Sequence, residues 1–322
     1  MQNFFVATLA CLFAALISSQ AFAETVRIAI LKFGTVSWEM DVVRRNEFDV
    51  AEDIKIELVE LASGQSAKVA LQAGSVDVIV SDLLWVSRSR TKGSDFVFAP
   101  YSASMGDLMV PPESDIGSIA ELAGAKIGVA GGPLDKSWLI MRALSRKLAG
   151  MDLANAAEPV FAAPPLLNQK AKQRELAAVL NYWPYSVRLE AKGFKRLMGV
   201  RQALEHLGID GAPPIVGYVF RDGWAKENRA LIDGFLRSMG KARNLLLESD
   251  AEWELVRPLM RAESDAIFIS LRNRFRSGIP RAEPNSLQLN AEKLYRVLSQ
   301  SAGEALLGPQ ISLSPGILWT TN

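Results

Sequence analysis

The chain has 322 residues, 49% of them hydrophobic, with 36 Lys and Arg against 35 Asp and Glu. That balance lacks the excess basic charge on which general nucleic-acid binding relies, so no nucleic-acid partner is expected. One histidine and one cysteine exclude zinc sites built from several His or Cys ligands.

The run from Phe4 to Ile17 is mostly Phe, Val, Ala and Leu, and leads through Ser18-Ser19-Gln20 to Ala21-Phe22-Ala23. A short apolar core followed by a small-x-small site describes a secretory signal peptide. The core is shorter than the roughly 20 apolar residues of a membrane span. Cys11 lies inside the core rather than at its end, which argues against a lipoprotein. Residues 1–23 are expected to be removed on export to the periplasm. The remaining chain then has no cysteine and no disulfide, and its length of about 300 residues suits one large domain or two medium ones.

Val26 to Leu31 reads as a strand, Glu39 to Arg45 as a helix, and Ile54 to Leu61 as an alternating second strand. Ala67 to Ala73 has helical spacing and is ended by Gly74, and Val76 to Val80 is a third strand closed by Ser81-Asp82. The plan then repeats. Ile116 to Leu122 is a short helix, Lys126 to Ala130 a strand, Ser137 to Leu148 a helix and Pro159 to Phe161 a strand. Leu166 to Arg174 is a helix, and Leu176 to Leu180 is a strand leading into Asn181-Tyr182-Trp183-Pro184. Strands alternating with helices imply parallel sheets with right-handed crossovers, here as two α/β lobes with a cleft between them. Ile215 to Phe220 is one more strand, followed by helices near 228–247, 251–260, 262–276 and 290–301. We divide the chain into lobe 1 (24–104), lobe 2 (105–216) and a return to lobe 1 with C-terminal helices (217–322). Pro111-Pro112 and Pro213-Pro214 are taken as marks of the crossings.

In open α/β sheets, ligands bind beyond the carboxyl ends of strands, close to helix amino termini. Five turns meet that description, and they nominate Ser37, Trp38, Gln65, Ser66, Ser81, Asp82, Gly132, Asp135, Ser137, Trp138, Asn181, Tyr182 and Trp183 as ligand contacts. Ser66 and Ser137 have a plainer reading as helix N-caps, and each Trp has a plainer reading as core. Backbone amides at helix starts suit a carboxylate, sulfonate or phosphate, and aromatic walls with a few polar anchors suit a flat or cationic organic group, so the ligand expected is a small organic molecule with at least one polar or anionic end. Asp77 reads as a stabiliser of strand entry, and Trp224, Trp253 and Trp319 as packing. Arg88, Arg90, Lys92, Arg272, Arg274 and Arg276 read as solvated faces. Enzyme chemistry would rest on His206, which sits near a helix end where the dipole gives it a structural role. No Gly-x-Ser-x-Gly elbow or phosphate-binding Gly-Lys-Ser/Thr loop is present. Neither a cofactor nor a catalytic residue is expected.

Two segments carry a resemblance to a known family. Leu71-Gln72-Ala73-Gly74-Ser75-Val76-Asp77-Val78 is similar to the helix-Gly-x-x-Asp-strand signature of the SsuA/THI5-like group, the periplasmic substrate-binding proteins of nitrate, sulfonate, taurine and thiamine-precursor importers. Ile119 to Val129 is similar to that group's entry into the second lobe. The resemblance implies a two-lobed periplasmic-binding-protein-like α/β fold of type II and a monomer that captures a small molecule and delivers it to the permease and ATPase of an ABC importer. It leaves an enzyme on the same architecture, or an accessory sensor, as alternatives. The family often repeats Gly-x-x-Asp-Ala in the second lobe, whereas this chain has Arg174-Glu175-Leu176-Ala177-Ala178 there.

Overall fold

The computed structural model describes residues 23–32, 34–209, 213, 215–280, 284–302 and 312–320. The signal segment expected at residues 1–23 lies, apart from Ala23, outside the described residues, as does Pro214. The elements alternate along the first part of the chain: β1 (Glu24–Leu31), α1 (Val36–Arg45), β2 (Ile54–Leu61), α2 (Gly64–Gln72), β3 (Val78–Asp82), α3 (Leu83–Arg90) and β4 (Phe96–Ser102). The middle part comprises β5 (Asp107–Val110), β6 (Lys126–Ala130), α4 (Lys136–Ala149), α5 (Leu153–Ala156), β7 (Glu158–Ala162), α6 (Pro164–Lys172), β8 (Ala178–Asn181), α7 (Trp183–Glu190), β9 (Lys195–Gly199) and α8 (Val200–His206). The chain then runs through β10 (Val216–Arg221), α9 (Asp222–Glu227), α10 (Arg229–Glu248), α11 (Asp250–Met260), α12 (Asp265–Ser277) and α13 (Pro284–Ala302).

Two five-stranded sheets result, in the orders β2-β1-β3-β10-β4 and β7-β6-β8-β5-β9. The two orders have one topology. In each, the first three strands pair in parallel, and one strand borrowed from beyond a crossing runs antiparallel between the third and the edge strand. Strand β5 enters the second sheet directly after β4 leaves the first, and β10 returns to the first sheet after α8. The strands therefore pass between the two sheets twice, at 103–106 and again between α8 and β10. Pro111-Pro112 follows β5 and so lies inside lobe 2, past the first crossing rather than at it.

The sequence signature in lobe 1 has a direct physical role. Gly74 adopts a left-handed conformation at the end of α2, φ 73°, which costs glycine little. Asp77 then ties strand entry, its Oδ2 accepting the Arg27 backbone N–H at 2.8 Å and Nε–H at 3.0 Å. The matched position in lobe 2 is Arg174, which takes the same left-handed turn at φ 61°. A side chain there costs about 1 kcal/mol or more. Arg174 offsets that cost with a bond from Nη2 to Glu113 Oε2 at 3.0 Å and a position over the Phe194 ring. The turn thus takes the same shape in both lobes, with glycine in one and arginine in the other.

Several elements escape the hydrophobic pattern of the sequence, among them β4, α7, α3 and β9. Strand β4 contains Pro100, which is tolerated because β4 is the last strand of its sheet and Pro is confined to such edges. Beyond it the chain terminus adds one bridge, with Phe98 N–H donating to Ile317 O and Trp319 N–H to Phe98 O. Helix α7 starts at Trp183 with Pro184 in its first turn, where the missing N–H costs nothing. Helix α3 carries alternating Arg88 and Arg90, and strand β9 opens on Lys195-Arg196, which hid both as surface.

The expected solvated arginine faces need correction. Arg88 is buried, Arg274 pairs with the buried Asp107 of β5, and Arg276 donates from Nε to Leu246 O at 2.9 Å. Burial pushes the Asp107 carboxyl up, against the pull of Arg274 and Arg196. Arg274, which also donates to Met105 O at 3.3 Å, ties α12 to the crossing, and Arg276 ties it to α10. Helix α10 packs on α1 and β1 in lobe 1, whereas α13 packs on α4 of lobe 2. No helix among the described residues is long and apolar enough to cross a membrane.

Candidate ligand site

Helix α1 begins where β1 ends, and its buried face is Val36, Trp38, Glu39, Met40, Val42 and Val43. Glu39 is thus a carboxylic acid on an apolar stripe, and it is wholly buried. Strand β10 brings the Tyr218 hydroxyl to Glu39 Oε2 at 3.5 Å. Glu39 Oε1 has no hydrogen-bond partner among the described residues. Burial raises the Glu39 carboxyl to about 7, against the opposing influence of the Arg243 charge and of hydrogen bonding from Tyr101 and Tyr218. Tyr101 and Tyr218 are themselves pushed well above the usual phenol range, chiefly by burial, so both remain hydroxyl donors. Arg243 on α10 lies over both tyrosine rings, at 5.5 and 5.8 Å from their centres. Burial works against its charge, and Tyr218, Glu39 and Tyr101 outweigh that and hold its pKa up.

These groups open on a small cavity lined by Thr35, Glu39, Tyr101, Ser102, Arg243 and, across the seam, Trp183, with Phe275, Gly278 and Ile279 closing one side. Trp183 comes from the first turn of α7 in lobe 2 and meets Trp38 edge-on at 6.0 Å. Behind it, Trp253 and Phe275 pack with Trp38 into an aromatic block. The cavity therefore has an ionisable floor from lobe 1 and an aromatic lid from lobe 2. Gly278 is required at the rim, because a Cβ there would meet Ser104 Oγ at 1.6 Å.

A second polar seam lies between the lobes. Asp82, at the carboxyl end of β3, stands 3.7 Å from Lys68 Nζ and caps α3 by accepting the Trp85 N–H at 2.8 Å. Although burial pushes its carboxyl up, the charges of Lys68, Arg88 and Lys136 prevail and hold it below the usual range. Opposite, Tyr182 donates to Asp135 Oδ2 at 3.3 Å with Lys136 over its ring. Gly131 turns here at φ 93°, and a Cβ would crowd Asp135 and the Tyr182 hydroxyl.

The thirteen nominated contacts separate into groups. Trp183 lines the cavity, and Trp38 packs directly behind it. Asp82, Asp135 and Tyr182 meet at the second seam, where Ser81 Oγ is buried without a hydrogen-bond partner among the described residues. Ser37 donates to Gly34 O at 3.1 Å. Gln65 and Ser66 are exposed, and Gly132 is partly exposed. The caps are Ser63 and Asp135, not Ser66 and Ser137, whose N–H groups are the ones being capped. Trp138 is buried in lobe 2 with Phe161 edge-on at 6.2 Å, away from the cavity. Asn181 spends its amide on Pro164 O, Asn168 Oδ1 and the Tyr182 N–H. The reading by turns missed Glu39, Tyr101, Arg243 and Phe275. Glu39 had a signal: it shares a helical face with Val36, Met40 and Val43, where an acid is out of place.

No protein-family model matches the sequence, and no curated protein matches it. Among solved structures, the aliphatic sulphonate binding protein SsuA of Escherichia coli superposes with a TM-score of 0.70 at 19% identity, covering 93% of each chain. The alkanesulfonate-binding protein SsuA of Xanthomonas axonopodis pv. citri, bound to MOPS, gives 0.73 at 16% identity, over 93% of this chain and 99% of that one. The ligand-binding component of an ABC-type import system from Staphylococcus aureus gives 0.68 at 12% identity, over 93% and 99%. TM-scores of 0.68 to 0.73 over nearly the whole of each chain give this chain the two-lobed fold of the SsuA-type periplasmic substrate-binding proteins.

Proposed function

We propose that the protein is the solute-binding component of an ABC import system, working in the periplasm after removal of residues 1–23, and that it is a binder rather than an enzyme. Carrying this reading is the cavity lined jointly by Trp183 of lobe 2 and Glu39 of lobe 1, one of whose buried carboxyl oxygens has no hydrogen-bond partner among the described residues. Buried polar atoms are nearly always satisfied, and the exceptions concentrate where something else binds. The likeness in fold to proteins whose names describe binding of sulfonates or components of import systems supports the same class.

Mechanistically, a small organic molecule bridges the lobes, and its contacts to both stabilise the closed arrangement over an open one. Two chain crossings at 103–106 and between α8 and β10 supply the hinge in this reading. The closed form then docks on the permease, and the ATPase drives release. The test is native mass spectrometry of gently purified protein, followed by denaturation. A small molecule bound at one per chain and released unchanged supports capture. Conversion of that molecule by the protein alone overturns the reading.

A further inference from the structure

Resting on the reading of the Glu39 cavity as a ligand site, we propose that its ligand presents a protonated nitrogen, an ammonium or a comparable N–H donor, to Glu39 Oε1. Ligands whose polar end is purely anionic are therefore disfavoured. The acceptor is specific. Glu39 Oε2 is met by Tyr218, while Oε1 is buried without a hydrogen-bond partner among the described residues, and Glu39 lines the cavity. A carboxylate oxygen accepts and does not donate, so its natural complement is an N–H or O–H on the ligand. Charge-assisted bonds of this kind are about twice as strong as neutral ones, and a dry pocket strengthens them further.

Arg243 does not reverse this argument. Its charge reaches Glu39 through space, and its guanidinium is already seated over Tyr101 and Tyr218, with Nη1 directed at Tyr101 O at 3.4 Å. An anion placed in the cavity gains Arg243 but meets the Glu39 carboxylate. It would have to be accommodated by protonating that acid. A cation would instead hold the acid ionised. Trp183 and Phe275 complete the match, since aromatic faces attract cations.

The two cases differ in the sign of their pH dependence. Glu39 faces Arg243 of α10, Tyr101 of β4 and Tyr218 of β10. Arg243 stays charged and both phenols stay protonated near neutrality. Glu39 is then the member of this cluster that titrates near pH 7. Binding of an ammonium tightens as pH rises through that value, and binding of an anion tightens as it falls.

Calorimetric titration with benzylammonium and benzenesulfonate, at about pH 6 and about pH 8, reads both predictions. The expected result is benzylammonium at least about tenfold tighter than benzenesulfonate at the higher pH, weakening towards the lower. Glu39→Gln, which keeps the shape and removes the charge, loses about tenfold or more of the benzylammonium affinity. Circular dichroism and the unchanged affinity of any Glu39-independent probe confirm that the variant is folded. Tighter binding of benzenesulfonate, or benzylammonium affinity indifferent to Glu39→Gln, overturns the proposal and leaves solute capture standing. If neither probe binds, the molecule released from purified protein decides. An N–H cation supports the proposal, a molecule without N–H overturns it alone, and no released molecule overturns the site reading with it.

Discussion

Two carboxylates, one in each lobe, show how differently this fold treats buried acids. Asp152 in lobe 2 precedes α5 and is saturated: Arg142 bonds both of its oxygens at 2.8 and 2.6 Å, Arg146 adds a third contact, and the Ala154 N–H a fourth. Its pKa falls to about 2, with the Arg142 hydrogen bond the largest cause. Glu39 in lobe 1 is buried further, its burial opposed only by the Arg243 charge and by hydrogen bonding from the Tyr101 and Tyr218 hydroxyls, with Oε1 left without a partner among the described residues, and its pKa rises to about 7. Desolvation opposes partners in both, and the partners decide. An acid that only holds structure is paired. An acid left unpaired in a cavity between lobes lowers stability, which fits the binding role proposed for Glu39.

The largest effect expected from breaking this comparison is in Asp152→Asn. It strands the guanidinium of Arg142, whose side chain is 10% exposed, and should cost roughly 3 kcal/mol in urea unfolding at neutral pH. Asp152 has a depressed folded pKa, so its contribution is present above the ordinary value of 3.8 and is lost as pH falls towards about 2. A variant as stable as the parent at pH 7 would show that pairing does not matter there. Ligand affinity should be unaffected.

Glu39→Gln should move stability the other way. Because the folded pKa is raised from 4.5 to about 7, the parent loses stability as pH climbs through that interval, while the variant does not. The variant's advantage is absent below the lower value and grows to about 3 kcal/mol above the upper one. Parallel stability profiles for parent and variant across that window would contradict the burial of an ionising Glu39.

Much of the two-lobed plan was legible in the sequence, because apolar strands such as Ile54–Leu61 and Lys126–Ala130 end where their turn residues say they do. The chain was harder to read where a local rule gives way to tertiary context. Pro100 sits in a strand because that strand is at an edge, and Arg174 occupies a left-handed turn because Glu113 and Phe194 hold it. The cavity was harder still. Its walls come from α1, β4, α10 and α12 of one part of the chain and α7 of another, so Tyr101, Arg243 and Phe275 carry no local mark. Trp183 was reachable from its place after β8, and Glu39 from the apolar face it interrupts. Strand-end turns led instead to Asp82, Asp135 and Tyr182, which form a seam of their own.

That leaves two interlobe seams, one with an unpaired acid and one with largely paired charges. A crystal structure of the protein purified without stripping its ligand separates them most directly. The account predicts density for a small molecule between Glu39 and Trp183, with a nitrogen within hydrogen-bond distance of Glu39 Oε1. A molecule lodged against Asp82 and Tyr182, with Glu39 Oε1 touched by nothing from it, would contradict the account.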